Sequence, residues 1–403
     1  MIENVSELQR ETFVKVERIF GLDLMRSCSI IMVFLAHSTP LNPVDKLFPF
    51  GWLGVGVEAF FVLSGFLIGR IILRTVLTPG ITWKAVRIFW VNRWLRTLPA
   101  YFFAFLVCYQ FSGAMHNSIY YLFFAQNIIT PMPGFFPHSW SLAVEEWFYL
   151  LFPLLLLAIA AVIGRAQNRY RIYLAGVIIF LVCGLGFKVL YHWMYQQNLF
   201  AYLVDQKVLF PSWNIFAPPI GDWDSMRKIV MFRLDAIACG CLVAYLMEKR
   251  KISSRASMWL LITGFIGVLI GFQVVKHTVA GGKANIFVDV LLLPLFCCGF
   301  AMMLPYASSC PRPGKLITRL ITQISQTSYS FYLMHILIIE QVTEWYHSNL
   351  ATPFAPKWLV FLGTYLFTYL VAYLMFRLIE LPFMNLRKRL FVPAIDADKS
   401  YSK

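Results

Sequence analysis

From residue 22 to residue 379 the chain returns again and again to apolar runs that are free, or nearly free, of charge. A helix of about 20 such residues crosses the hydrocarbon core of a bilayer. Only structures that satisfy every backbone polar group internally are stable there. Ten runs qualify, at about 22–39, 51–73, 87–112, 142–164, 171–190, 229–247, 257–275, 286–305, 322–342 and 358–379. The expected fold is therefore an all-α polytopic membrane protein, a bundle of about ten transmembrane helices. Composition excludes a soluble alternative. Of 403 residues, 59% are hydrophobic and 14% charged, against about 25% charged in an ordinary soluble domain.

A net charge of +15 would point to nucleic acid in a soluble protein, but here the basic residues sit between spans, so no nucleic-acid partner is expected. With ten spans both termini lie on one side. That side collects 26 of the 35 Lys and Arg residues. The positive-inside rule makes it the cytoplasm. Three parts are expected: a polar cytoplasmic head over 1–20, a transmembrane domain over 21–385 and a cytoplasmic tail over 386–403. The head is charged and leads into many spans, so it does not read as a cleavable signal peptide. The eight cysteines lack zinc or redox spacing and read as reduced packing residues, and no metal is expected.

Ionisable groups at membrane depth are costly and mark functional candidates. In the first span Arg26 and His37 lie eleven residues apart, about 16 Å along a helix and on nearly one face. They are placed toward opposite membrane surfaces. In the third span Arg93 and Arg96 share a face at i, i+3. With Arg26 they form a cationic mouth suited to a phosphorylated cytosolic ligand, or to anionic lipid head groups. The fourth span opens with SWSLAVEEWFYLLFP. In this topology Glu145 and Glu146 fall near the depth of His37, and a carboxylate beside an imidazole is an arrangement that supports general-base catalysis.

Other polar positions carry two readings each. Glu58 and Ser64 lie in GVEAFFVLSGFLIGR, whose glycines permit close helix approach. Arg233 and Asp235, in RLDAIACG, are expected to compensate each other's charge. Ser328, Tyr332 and His335, in SYSFYLMH, form one stripe at i, i+4, i+7 that serves core hydrogen bonding or substrate contact. Glu380 reads as a helix-end feature. Residues 113–141 lack Lys, Arg, Asp and Glu and fit a re-entrant or interface-lying roof over a cavity. The outer loop 191–228, rich in aromatics and Pro, fits the interface or stacking on sugar rings.

Six motifs in order strongly resemble the membrane-bound acyltransferase family 3, O-acetylases of cell-surface polysaccharides: Arg-x10-His in the first span, GVEAFFVLSGFLI, NRWLRTLPAY, SWSLAVEEWFYLLFP, RLDAIACG and SYSFYLMH. The resemblance covers about residues 18–385 and is of the stand-alone type, without an added periplasmic hydrolase-like domain. It implies an inner-membrane O-acyltransferase. The donor would be cytosolic acyl-CoA, most simply acetyl-CoA. The acceptor would be a hydroxyl of a carbohydrate or glycolipid. Arg26, Arg93 and Arg96 would hold the donor's phosphates. His37 would act as base or acyl carrier, and Glu145 would orient it. Glu58 stands where many members have Asp. Glu58, Ser64, Tyr332 and His335 are candidates for substrate contact. The rival class is a transporter or flippase for an anionic or lipid-linked substrate, with the arginines as its binding site and His37 and Glu145 as a proton relay. No internal repeat of the kind common in transporters is visible.

Overall fold

A computed structural model describes residues 18–43, 50–77, 81–112, 118–128, 135–164, 168–197, 226–278, 286–348 and 356–391. Most of the head, of the tail and of the loop 191–228, expected to be outer, with its PSWNIFAPPIGDWD segment, lies outside the described residues, as do 113–117 and 129–134 of the expected roof.

The described residues form twelve α-helices and no strand. They are α1 (Phe20–His37), α2 (Gly56–Ile71), α3 (Trp83–Ser112), α4 (Ile119–Leu122), α5 (Ser139–Ile163), α6 (Arg169–Gln196), α7 (Leu234–Lys249), α8 (Ser254–Thr278), α9 (Leu292–Ser309), α10 (Lys315–Ser348), α11 (Lys357–Met375) and α12 (Leu381–Phe391). Each of the ten expected spans falls on a long helix. Eight of these, among the described residues, are long and apolar enough to cross a membrane. The two that fail that criterion are α3 and α10. They are the helices that carry arginines and a polar stripe inward, and their polarity marks the site.

Close packing follows from glycine. A Cβ on Gly65 would collide with the backbone carbonyl of Ile237, and one on Gly240 with that of Val62. Helices α2 and α7 therefore meet backbone to backbone, as small residues allow where no hydrophobic force drives helices together. Helix α1 lies along α10. Ser27 donates to the carbonyl of Ile321 at 3.0 Å, and Ser325 donates to Asp23 Oδ1 at 2.6 Å. Three π-helical turns interrupt the spans: Ile72–Val76, Phe287–Leu291 and Phe376–Glu380.

In the roof region α4 is a single turn. Tyr101 donates to the carbonyl of Tyr121 at 2.8 Å, and Trp147 to that of Phe124 at 2.9 Å. Asn127 donates to the carbonyls of Trp140 and Lys228 at 3.1 and 2.6 Å. Residues 118–128 are thus tied to the start of α5 and to the segment before α7.

The charges expected to compensate within RLDAIACG pair elsewhere. Arg233 forms a fully buried ion pair with Glu58 of α2, and Asp235 pairs with the fully buried Lys188 of α6. His192 and Asp289 meet at 2.7 Å beside them. Arg233 precedes α7 and Asp235 opens it, so the two side chains leave toward different neighbours. Glu58, a candidate for substrate contact, is wholly enclosed with its arginine.

Candidate active site

The i, i+4, i+7 stripe of α10 holds one wall. Tyr332 Oη lies 2.6 Å from Ser141 Oγ of α5 and donates to the carbonyl of His138 at 3.1 Å. One turn on, His335 is fully buried. Its Nε2 lies 3.2 Å from Nδ1 of His37, the exposed last residue of α1. His138, just before α5, lies near His335 with ring centroids 5.5 Å apart and the ring planes tilted by 53°. Burial, reinforced by His37, pushes the His138 imidazole down to about 3, so this ring is neutral. Three imidazoles thus meet where the first span, the roof and the α10 stripe converge.

Deeper in the bundle a cavity is lined by Arg26, Arg93, Arg96, Ser64, Glu145, Tyr329 and Tyr332, with apolar side chains of α2 between them. Arg93 donates to Glu145 Oε2 at 2.9 Å, and Tyr149 donates to the same oxygen at 2.9 Å. The guanidinium sits over the Tyr149 ring, 4.1 Å from its centroid, close enough for cation–π attraction. Tyr149 Oη is also hydrogen-bonded to Ser64. Thr97 donates to Glu146 Oε1 at 3.2 Å. Arg96 lies near Glu380, a buried carboxylate that accepts from Ser330. Glu380 is therefore part of this polar interior and not only a helix end.

The structure brings together Arg26, Arg93, Arg96, Ser64, Glu145 and Tyr332 around one cavity, and His37 with His335 one turn beyond Tyr332. Glu145, expected to orient His37, accepts hydrogen bonds from two other side chains. Glu145 lies one turn, about 6 Å, along α5 from Ser141, and Ser141 is level with Tyr332. The carboxylate is held by Arg93 and Tyr149, and the ring beside His37 is His335.

A family model described as an acyltransferase domain matches residues 19–377. The chain belongs to acyltransferase family 3. Among curated relatives, the O-acetyltransferase OatA of Staphylococcus aureus (strain NCTC 8325) is 25% identical over 400 residues, covering 90% of this chain and 56% of the relative. A candidate O-acetyltransferase of S. aureus (strain COL) is 24% identical over 407 residues, covering 92% of this chain and 58% of the relative. The chain thus spans a little under three-fifths of the length of these relatives. No solved structure matches.

Sequence reasoning missed two residues at this candidate site and one in the buried charge layer. Tyr149 stands at i+4 from Glu145, a spacing that places both on one face. His138 immediately precedes the SWSL motif and reads as loop. Lys188, outside the cavity but essential to the charge layer, reads as an end-of-span lysine reaching the interface.

Proposed function

We propose that the protein is an integral inner-membrane O-acyltransferase, with both termini cytoplasmic. It would move an acyl group, most simply acetyl, from cytosolic acyl-CoA to a hydroxyl of a cell-surface or exported carbohydrate or glycolipid. The observation that carries this reading is the cavity itself. It is lined by Arg26, Arg93 and Arg96 and neighboured by a base-competent imidazole at His37. Arginine guanidinium groups match phosphate geometry, and a histidine within reach of an acceptor hydroxyl supplies general-base catalysis.

In this mechanism the arginines bind the donor's phosphates, and the thioester arm runs along the α1 and α2 wall toward His37. His37 removes the acceptor hydroxyl proton as the oxygen attacks the thioester carbonyl. The C–O bond forms, the C–S bond breaks, and the proton passes to the departing thiolate. Glu145 positions Arg93, and Tyr332 and Ser64 line the donor's path. No metal takes part in the proposal. Purified protein in lipid vesicles, given radiolabelled acetyl-CoA and surface glycans, tests it. Glycan-dependent release of free CoA with label on the glycan is expected. Glycan or lipid movement without CoA release would replace the enzyme with a transporter.

A further inference from the structure

Two backbone carbonyls identify the atom of His37 that would take the proton; the argument rests on the reading of His37 as base. His335 Nδ1 lies 2.7 Å from the carbonyl oxygen of Tyr332. A carbonyl only accepts, so that nitrogen must donate. The alternative tautomer would set two lone pairs against each other at this distance. His335 is fully buried, where a second proton and its charge would be costly. Its Nε2 therefore presents a lone pair.

That lone pair faces His37 Nδ1 at 3.2 Å. The same Nδ1 lies 2.9 Å from the carbonyl oxygen of Val33, one turn back on α1. Both neighbours accept, so the proton of neutral His37 sits on Nδ1 and is shared between them. We infer that His37 works as the Nδ1–H tautomer with Nε2 as the proton-accepting atom, and that His335 is a positioning residue for it. As the acceptor oxygen attacks, its proton moves to Nε2 and His37 becomes an imidazolium. The bond from Nδ1–H to His335 Nε2 is then charge-assisted and strengthens. The proton leaves from Nε2 to the thiolate sulfur, and the starting tautomer is restored without a change at Nδ1. His335 thus fills the place that a carboxylate occupies in other base-orienting arrangements, without adding a buried negative charge.

The test uses the full chain with 15N-labelled histidine, whose seven signals are assigned by comparison with His37→Ala. The expected spectrum has His37 protonated at Nδ1 and bare at Nε2. A His37 proton on Nε2 overturns the inference, whatever the activity. In the matching kinetics, His335→Leu should lower kcat about ten- to a hundredfold, the value of a hydrogen bond to a charged group, with the donor's KM unchanged. His335→Gln, whose side-chain oxygen can accept near the Nε2 position, should recover most of that loss. Equal losses in both variants, or none in either, would make His335 a packing residue. Failure of the underlying reading is distinct: a His37→Ala protein would then transfer acyl groups at the wild-type rate.

Discussion

Glu145 accepts hydrogen bonds from Arg93 and Tyr149 through one oxygen, Oε2, each at 2.9 Å. The carboxylate of the SWSLAVEEW motif therefore sets the direction of an arginine. Glu145→Gln should act on donor binding, because the amide oxygen still accepts from the guanidinium but no longer supplies the carboxylate charge that strengthens a bond worth about 1.5–3 kcal/mol. The expected outcome is a donor KM raised by about tenfold, with a smaller fall in kcat. Steady-state kinetics across acyl-CoA concentrations check this. A fall confined to kcat would return Glu145 to the chemical step.

Arg93→Ala should weaken acyl-CoA binding by about ten- to a hundredfold, the loss of a charge-assisted phosphate contact. Arg93→Lys should recover only part, since an ammonium cannot form the planar fork or lie flat on Tyr149. Calorimetric titration with CoA measures both. Unchanged affinity in Arg93→Ala and in Arg96→Ala would make the arginines lipid anchors.

The spans were legible because apolar runs of bilayer length leave a chain few alternatives, and every expected run lies on a helix. The pairing across helices was not. Depth along a helix follows from residue count, but rotation about its axis follows from packing against neighbours. Glu145 was matched to His37 by depth alone, and its hydrogen bonds come from Arg93 and Tyr149. Arg233 and Asp235, neighbours in sequence, leave toward α2 and α6. The arginines and the α10 stripe were legible for the opposite reason. Inside an apolar helix a polar residue stands out whatever it faces.

Removing one partner of the enclosed Glu58–Arg233 pair should cost about 3–5 kcal/mol, because the other charge stays buried. Glu58→Met is expected to lower the detergent melting temperature sharply, and Glu58→Met with Arg233→Met to recover much of it. Fluorescence thermal scans of the three proteins decide the point. Normal stability in Glu58→Met alone would mean that the pair does not compensate charge.

Orientation is tested by single cysteines in a background without the native eight. An impermeant thiol reagent applied from outside should label Ser118→Cys and spare Ser253→Cys, which follows α7 among the basic residues Lys249 to Arg255. The reverse pattern would place both termini outside.

The most direct test of the proposed chemistry is to follow glycan acylation and CoA release side by side in purified His37→Ala and wild-type protein, at matched amounts. The expected variant is folded, binds acyl-CoA as the wild type does, and loses transfer by about two to four orders of magnitude. Transfer at the wild-type rate by a folded His37→Ala protein would remove His37 from the reaction and contradict the mechanism.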